Sequence, residues 1–379
     1  MTYNNSMKFL ILFSLTFIFR NVLSNVNPLP YEAIFNFGDS ISDTGNEATL
    51  HPPMPINSPY GSTYFKHPSG RLSNGRLIID FIAQAYGLPF FPAYKNLIEG
   101  QDITKGVNFA FVGATALDFN YFNKSMVALP GTNNSLSVQL KMFKRLKPSL
   151  CKNKKDCRNY FKKSLFLVGE IGGNDIFSHI TPKFSNFRNL IPLVVNKITG
   201  TTISLIKEGA VEIVIPGNFP VGCSASLLAV VNTNNTKNYD EFGSFKAFNI
   251  VIQYFNDNLI YSITTLRETY PDVKIIYFDY YNNAKRLYEE PQKYVGTCFY
   301  VGFDKDETFK ACCGGGGPHN FDPRMGCGSP NTTVCSDPSK NINWDGVHFT
   351  EVAYKLLAKG LVEGPFAYPS LKPAPFQIA

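Results

Sequence analysis

The stretch YEAIFNFGDSISDTGN (31–46) places Ser40 three residues beyond an apolar run that ends at Phe37. A hydroxyl at such a break is either an ordinary turn residue or an exposed nucleophile, and a lone Gly-Asp-Ser favours the turn. A nucleophilic serine also needs a base, an acid that orients the base, and N–H donors for the oxyanion. Five histidines are available as the base. His51 and His67 fall in a Pro/Ser-rich loop, His179 follows a strand-ending turn, and His319 sits in a cysteine-rich segment. His348 is different, because WDGVHFT places Asp345 three residues before it on one short loop. A carboxylate there can reach Nδ1 while Nε2 faces the serine. Candidate oxyanion donors are the N–H groups of Ser40 and of Gly113 (in FVGAT) and the side-chain amide of Asn174 (in GGND). Taken singly, each has a plain reading as a turn or helix-start residue. Together they spell acyl transfer through Ser40, Asp345 and His348, with an oxyanion hole of Ser40, Gly113 and Asn174. The chain contains no G-x-S-x-G, which disfavours a nucleophile-elbow hydrolase.

Such a site needs a scaffold that brings distant turns together. Apolar runs at 32–37, 107–113, 164–169, 211–217 and 273–281 have the length of buried strands. Helical periodicity lies between them at 75–87, 135–147, 187–207 and 241–271, and again at 351–363. Alternating strands and helices predict a parallel sheet covered on both faces, wound right-handedly into one domain rather than a barrel. Ligands of such sheets sit beyond the carboxyl ends of the strands. GDS, GAT and GGND follow the first three predicted strands, so all three turns are expected at one rim. Gly38 permits the tight turn that lifts Ser40 out of the sheet. Residues 289–343, dense in Gly, Pro and Cys, are expected to form a disulfide-tied excursion near the site rather than a plain connection.

Composition narrows the class. The 379 residues are 44% hydrophobic and 17% charged, enough for a sizeable core with no sign of disorder. Lys8 precedes FLILFSLTFIF, a run too short and wrongly flanked for a membrane span, and VLS (22–24) offers small residues for cleavage. The expected organisation is a signal peptide over 1–24 and one domain over 25–379, with no integral membrane segment once the signal is removed. The formal net charge is +7, falling only by Lys8 and Arg20 on cleavage, with no dense basic block. Nucleic-acid binding is therefore not expected. An even count of eight cysteines behind a signal peptide implies disulfides. Cys151 and Cys157 bracket a short basic loop and are expected to pair; Cys298, Cys312, Cys313, Cys327 and Cys335 crowd together and Cys223 stands apart. A zinc site recruiting Cys312, Cys313 and His319 fails on spacing, since no C-x-x-C exists. Sequons at Asn123, Asn133, Asn234 and Asn331 fit a glycosylated secretory protein, destined for the apoplast or the vacuole.

FNFGDSISDTGN, GVNFAFVGATAL, GEIGGNDIF and WDGVHFT resemble the four signature blocks of the plant GDSL esterase/lipase family within the SGNH hydrolases. NGRLIIDFIA, NFPVGC and ACCGGGG extend the resemblance over nearly the whole mature chain. It implies a flavodoxin-like three-layer α/β/α sandwich with a five-stranded parallel sheet. It also implies a Ser–Asp–His triad on Ser40, Asp345 and His348, the same three oxyanion donors, and no metal or organic cofactor. Ile41 stands where the family's name has Leu, a change that keeps an apolar side chain. TCFYVGFDKDETFKACCGGGGPHNFD resembles the branch containing acetylajmalan esterase and sinapine-type esterases. The expected activity is a secreted serine carboxylesterase acting on small-molecule esters, short-chain or aromatic, of plant specialised metabolites. Two rivals use the same features: an acyltransferase whose acyl-enzyme meets an alcohol, and a non-catalytic secreted binding protein that retains the fold.

Overall fold

The computed structural model describes residues 30–49, 58–180, 187–293 and 302–378. The signal-peptide expectation, His51 and Cys298 lie outside these residues. Five parallel strands, β1 (Ala33–Phe37), β2 (Gly106–Asn108), β3 (Ser164–Val168), β4 (Glu212–Pro216) and β5 (Lys274–Phe278), form the sheet in the order β2-β1-β3-β4-β5. A short strand, Ala367–Tyr368, adds an antiparallel edge to β5. The helices are α1 (Ile78–Ala85), α2 (Phe119–Ser125), α3 (Leu136–Leu146), α4 (Lys154–Phe161), α5 (Gly173–Phe177), α6 (Phe187–Glu208), α7 (Ala225–Val231), α8 (Lys246–Thr269), α9 (Tyr280–Glu289) and α10 (Glu351–Val362).

Successive strand residues point to opposite faces. Ala33, Phe35 and Phe37 of β1, with Phe166 and Val168 of β3, enter one core with side chains of α3, α4, α6 and α8. Ile34, Leu165, Leu167, Val214 and Ile276 enter the other, against α1, α9 and α10. Both faces are covered, so the strands read as unbroken apolar runs. Phe35, Phe143, Phe161 and Phe166 pack with centroids 5.2–5.8 Å apart. Truncating such a ring to Ala costs about 3–5 kcal/mol. By length and composition α6 could cross a membrane, yet Leu190, Ile191, Val194 and Val195 of this helix bury in the core.

Three expectations need correction. The second strand was expected over 107–113 but ends at Asn108: the Phe109 and Phe111 N–H groups still donate to the Asn36 and Gly38 carbonyls (2.7 and 3.2 Å), but the Gly38 N–H goes to Gln139 Oε1 at 2.9 Å. The fifth ends at Phe278 because the Asp279 side chain accepts the Asn282 N–H at 3.0 Å and starts α9. The stretch between Cys151 and Cys157 is not all loop: Asn153 Oδ1 accepts from the Lys155 and Asp156 N–H groups, both at 3.0 Å, and opens α4. The Cys151–Cys157 disulfide is present as expected. The excursion is tied by Cys312–Cys335 and Cys313–Cys327 around a two-stranded ribbon, Cys313–Gly314 with Thr333–Val334. Those sulfurs are spent on each other, which removes the zinc reading. Cys223 is buried and unpaired among the described residues.

Candidate active site

The turn after β1 is wedged between neighbours. Gly38 donates its N–H to Gln139 Oε1 at 2.9 Å, and its carbonyl accepts Gln139 Nε2 at 2.8 Å. A Cβ on Gly38 would lie 2.8 Å from Ser42 Oγ and 2.9 Å from the Glu170 carbonyl, so only glycine fits. Asp39 donates its N–H to the Glu170 carbonyl (3.2 Å) and accepts the Ile41 N–H on Oδ1 (3.0 Å). These contacts fix the backbone on both sides of Ser40.

Ser40 Oγ lies 2.8 Å from His348 Nε2, and His348 Nδ1 lies 2.7 Å from Asp345 Oδ2. The carboxylate is itself anchored: Oδ1 accepts the N–H groups of Val347 (3.0 Å) and His348 (2.8 Å). The Tyr60 hydroxyl donates to Oδ2 at 2.8 Å. Burial, with the adjacent carboxylate, raises the Tyr60 pKa well above its usual value, so this phenol is a donor only. Burial alone would push Asp345 up, but the His348 ring and the backbone N–H groups hold it at about 2. For His348 burial favours the neutral ring; the Asp345 and Asp39 carboxylates outweigh it, and the net shift is upward. The loop is pinned from beneath, because Trp344 donates its N–H to the His348 carbonyl and Cys313 donates its own to the Trp344 carbonyl, both at 2.7 Å.

Asn174, at the start of α5, donates Nδ2 hydrogens to the Ala114 carbonyl (2.9 Å) and to Asp39 Oδ2 (3.2 Å). It thus joins the turn carrying Ser40 to the turn carrying Gly113, which has φ +71°. Among the described residues, neither the Ser40 nor the Gly113 N–H donates to a protein acceptor. Ser40 and Asn174 line one pocket at this rim; Gly113 is not part of that lining. Phe177, Phe219, Val221, Val347 and Phe349 make its apolar wall. The other described histidines are elsewhere, each with Nδ1 against a carbonyl: His67 at Pro68, His179 at Asp175 and His319 at Phe309. The four sequon asparagines, Asn123, Asn133, Asn234 and Asn331, are all exposed.

Sequence reading overlooked Tyr60, Gln139 and Glu170. Tyr60 and Gln139 carry no local signal. Glu170 does carry one, because an acid directly after a fully buried strand has to be accommodated.

A doubly covered parallel sheet with a hydroxyl–imidazole–carboxylate relay beyond its strand ends is the architecture of a serine-type hydrolase. The profile of the GDSL-like Lipase/Acylhydrolase family matches residues 34–361. One GDSL esterase/lipase of Arabidopsis thaliana is 46% identical, over 90% of this chain and 93% of its own length. A second from the same plant is 44% identical, over 96% and 95%. The chain belongs to the GDSL esterase/lipase family and is a carboxylic ester hydrolase.

Proposed function

We propose that the protein is a secreted serine carboxylesterase in which Ser40 is the nucleophile, His348 the general base and Asp345 the residue that orients it. The observation that carries this reading is the unbroken relay from Ser40 Oγ to His348 Nε2 (2.8 Å) and from His348 Nδ1 to Asp345 Oδ2 (2.7 Å). The Ser40 proton passes to Nε2 as Oγ bonds to the ester carbonyl carbon. The N–H groups of Ser40 and Gly113 and the Asn174 amide receive the oxyanion. The Asn174 hydrogen held by Asp39 Oδ2 at 3.2 Å is the longer of its two bonds, and the oxyanion would share it with that carboxyl. Collapse breaks the ester C–O bond, and His348 gives its proton to the leaving alcohol. Water deprotonated by His348 then cleaves the acyl-enzyme and restores Ser40.

A compact pocket walled by Phe177, Phe219 and Phe349 suits short or aromatic acyl esters of specialised metabolites. The apolar run after Lys8, the three disulfides and the exposed sequons support an exported, glycosylated chain with a signal peptide over 1–24 and a single domain over 25–379. Labelling with a fluorophosphonate, read beside hydrolysis of an aryl acetate, tests the reading. Wild type should label and hydrolyse and Ser40→Ala should do neither; equal behaviour of the two would overturn it.

A further inference from the structure

Glu170 is a buried acid at the site that the reaction above leaves without a task. It follows β3, is 4% exposed, and lines the pocket beside Ser40. Asp39, 3% exposed, lines the same pocket and donates its N–H to the Glu170 carbonyl at 3.2 Å, and the two carboxyls act on one another. The Gly173 N–H favours the ionised form of Glu170. Glu170 Oε1 nevertheless has no hydrogen-bond donor among the described residues. Asp39, by contrast, is occupied on both oxygens, by the Ile41 N–H at 3.0 Å and by Asn174 Nδ2 at 3.2 Å.

Two carboxylates this close and this buried cannot both ionise, because each would lose its hydration and repel the other. The surroundings do not relieve them. His348 faces Asp39, but so does Asp43; Asp175 faces both carboxyls, and the Tyr280 phenol lies near both. The Tyr354 phenol lies near Asp39. A proton between the two carboxyls would supply a donor to this pair.

We propose that Asp39 and Glu170 share one proton, and that Glu170 is thereby a positioning residue for ester hydrolysis. The inference rests on Ser40 being the nucleophile. The shared proton holds Asp39 where Oδ2 aims the Asn174 amide. It also keeps the charge beside the forming oxyanion at one negative rather than two, while leaving Asp39 able to favour the His348 imidazolium. Burial and the neighbouring Asp39 push the Glu170 pKa well above the usual carboxyl range. Burial likewise raises Asp39 to about 7, against the Ile41 N–H and His348, which favour its ionised form. Both directions agree with a proton retained at neutral pH.

Glu170→Gln and Glu170→Ala test this in the full chain, with Ser40→Ala alongside. The readouts are aryl acetate kcat and KM from neutral to alkaline pH, phosphonate labelling, and Tm. The Gln amide replaces the proton with an N–H that cannot ionise. Glu170→Gln should therefore keep kcat within about threefold at neutral pH and hold it at alkaline pH, where the wild type declines. Glu170→Ala should lose kcat by about 10- to 100-fold with KM little changed, because Asn174 loses its aim. The proposal is overturned if Glu170→Ala matches wild type, or if Glu170→Gln falls as far as Glu170→Ala at unchanged Tm. An effect confined to KM would also overturn it, making Glu170 a substrate contact. Should Glu170→Ala not fold, identical alkaline profiles for wild type and Glu170→Gln suffice to reject it. Failure of the Ser40 reading shows separately, as labelling and turnover that survive in Ser40→Ala.

Discussion

Ser40 stands on a turn that the sheet itself builds, whereas His348 stands on a loop outside the sheet that is held by its neighbours. The first turn continues β1 and is clasped by Gln139 and by the chain at Glu170, both beside the sheet rim. The second is held by contacts far apart in sequence: Tyr60 on Asp345, Ser73 Oγ on the Phe349 carbonyl at 3.0 Å, and Asn74 Oδ1 on the Glu351 N–H at 2.8 Å. The disulfide-tied excursion completes the support, with Cys312 donating its N–H to the Asn343 carbonyl at 3.1 Å and Cys313 to that of Trp344. A hydroxyl placed by strand topology is hard to move without unfolding the sheet. An imidazole placed by side-chain hydrogen bonds and disulfides can be loosened by itself.

The largest effect breaks the comparison from the sheet side. Ser40→Ala should remove hydrolysis almost completely, a loss on the order of 10⁶ in kcat with Tm nearly unchanged, measured by initial rates and calorimetry. Asn174→Ala, which unties the first turn from the Gly113 turn, should cost about 10²–10³ in kcat and leave KM close to wild type. On the loop side, replacing Cys312 and Cys335 together by Ala should cost about 2–4 kcal/mol of stability. Hydrogen exchange should rise around 343–349 and stay protected around 33–42; uniform loss of protection would show that the two regions are not held independently.

Smaller changes sharpen the contrast. Tyr60→Phe removes one donor from Asp345 Oδ2 and should lower kcat by about three- to tenfold at constant KM. A carboxylate with fewer donors is more basic and favours the imidazolium more, so the acid limb of the pH profile should move upward. In the wild type that limb should already lie above the ordinary histidine value of 6.5, because the net pull of Asp345 and Asp39 raises His348. With His348 as the proposed base, activity needs the neutral ring and should rise with pH through the His348 pKa. Asp345→Asn should move the limb down while cutting the rate.

How much was legible depends on whether the determining interaction is local. The five parallel strands, the major helices and the Cys151–Cys157 pair were readable because burial on both faces, helical periodicity and short spacing leave marks within a dozen residues. Strand ends were misjudged at Asn108 and Asp279, where a polar side chain takes a backbone N–H, Gln139 that of Gly38 and Asp279 that of Asn282. Ser40, Gly113, Asn174, Asp345 and His348 stood out because each sits in a turn after an apolar run or beside a helix start. Tyr60 and Gln139 did not, since each acts on a partner far away in sequence.

By itself, the sequence determined which turns carry reactive groups and that a parallel sheet would gather them at one rim. This follows because strand direction and helix crossover are set by local pattern and chain chirality. Only the tertiary structure decided the 2.8 and 2.7 Å contacts of the relay, the support of Asp345 by Tyr60, and the meeting of the Asp39 and Glu170 carboxyls. Hydrogen bonds and shared protons act over a few ångströms, and that proximity exists only after distant segments have packed.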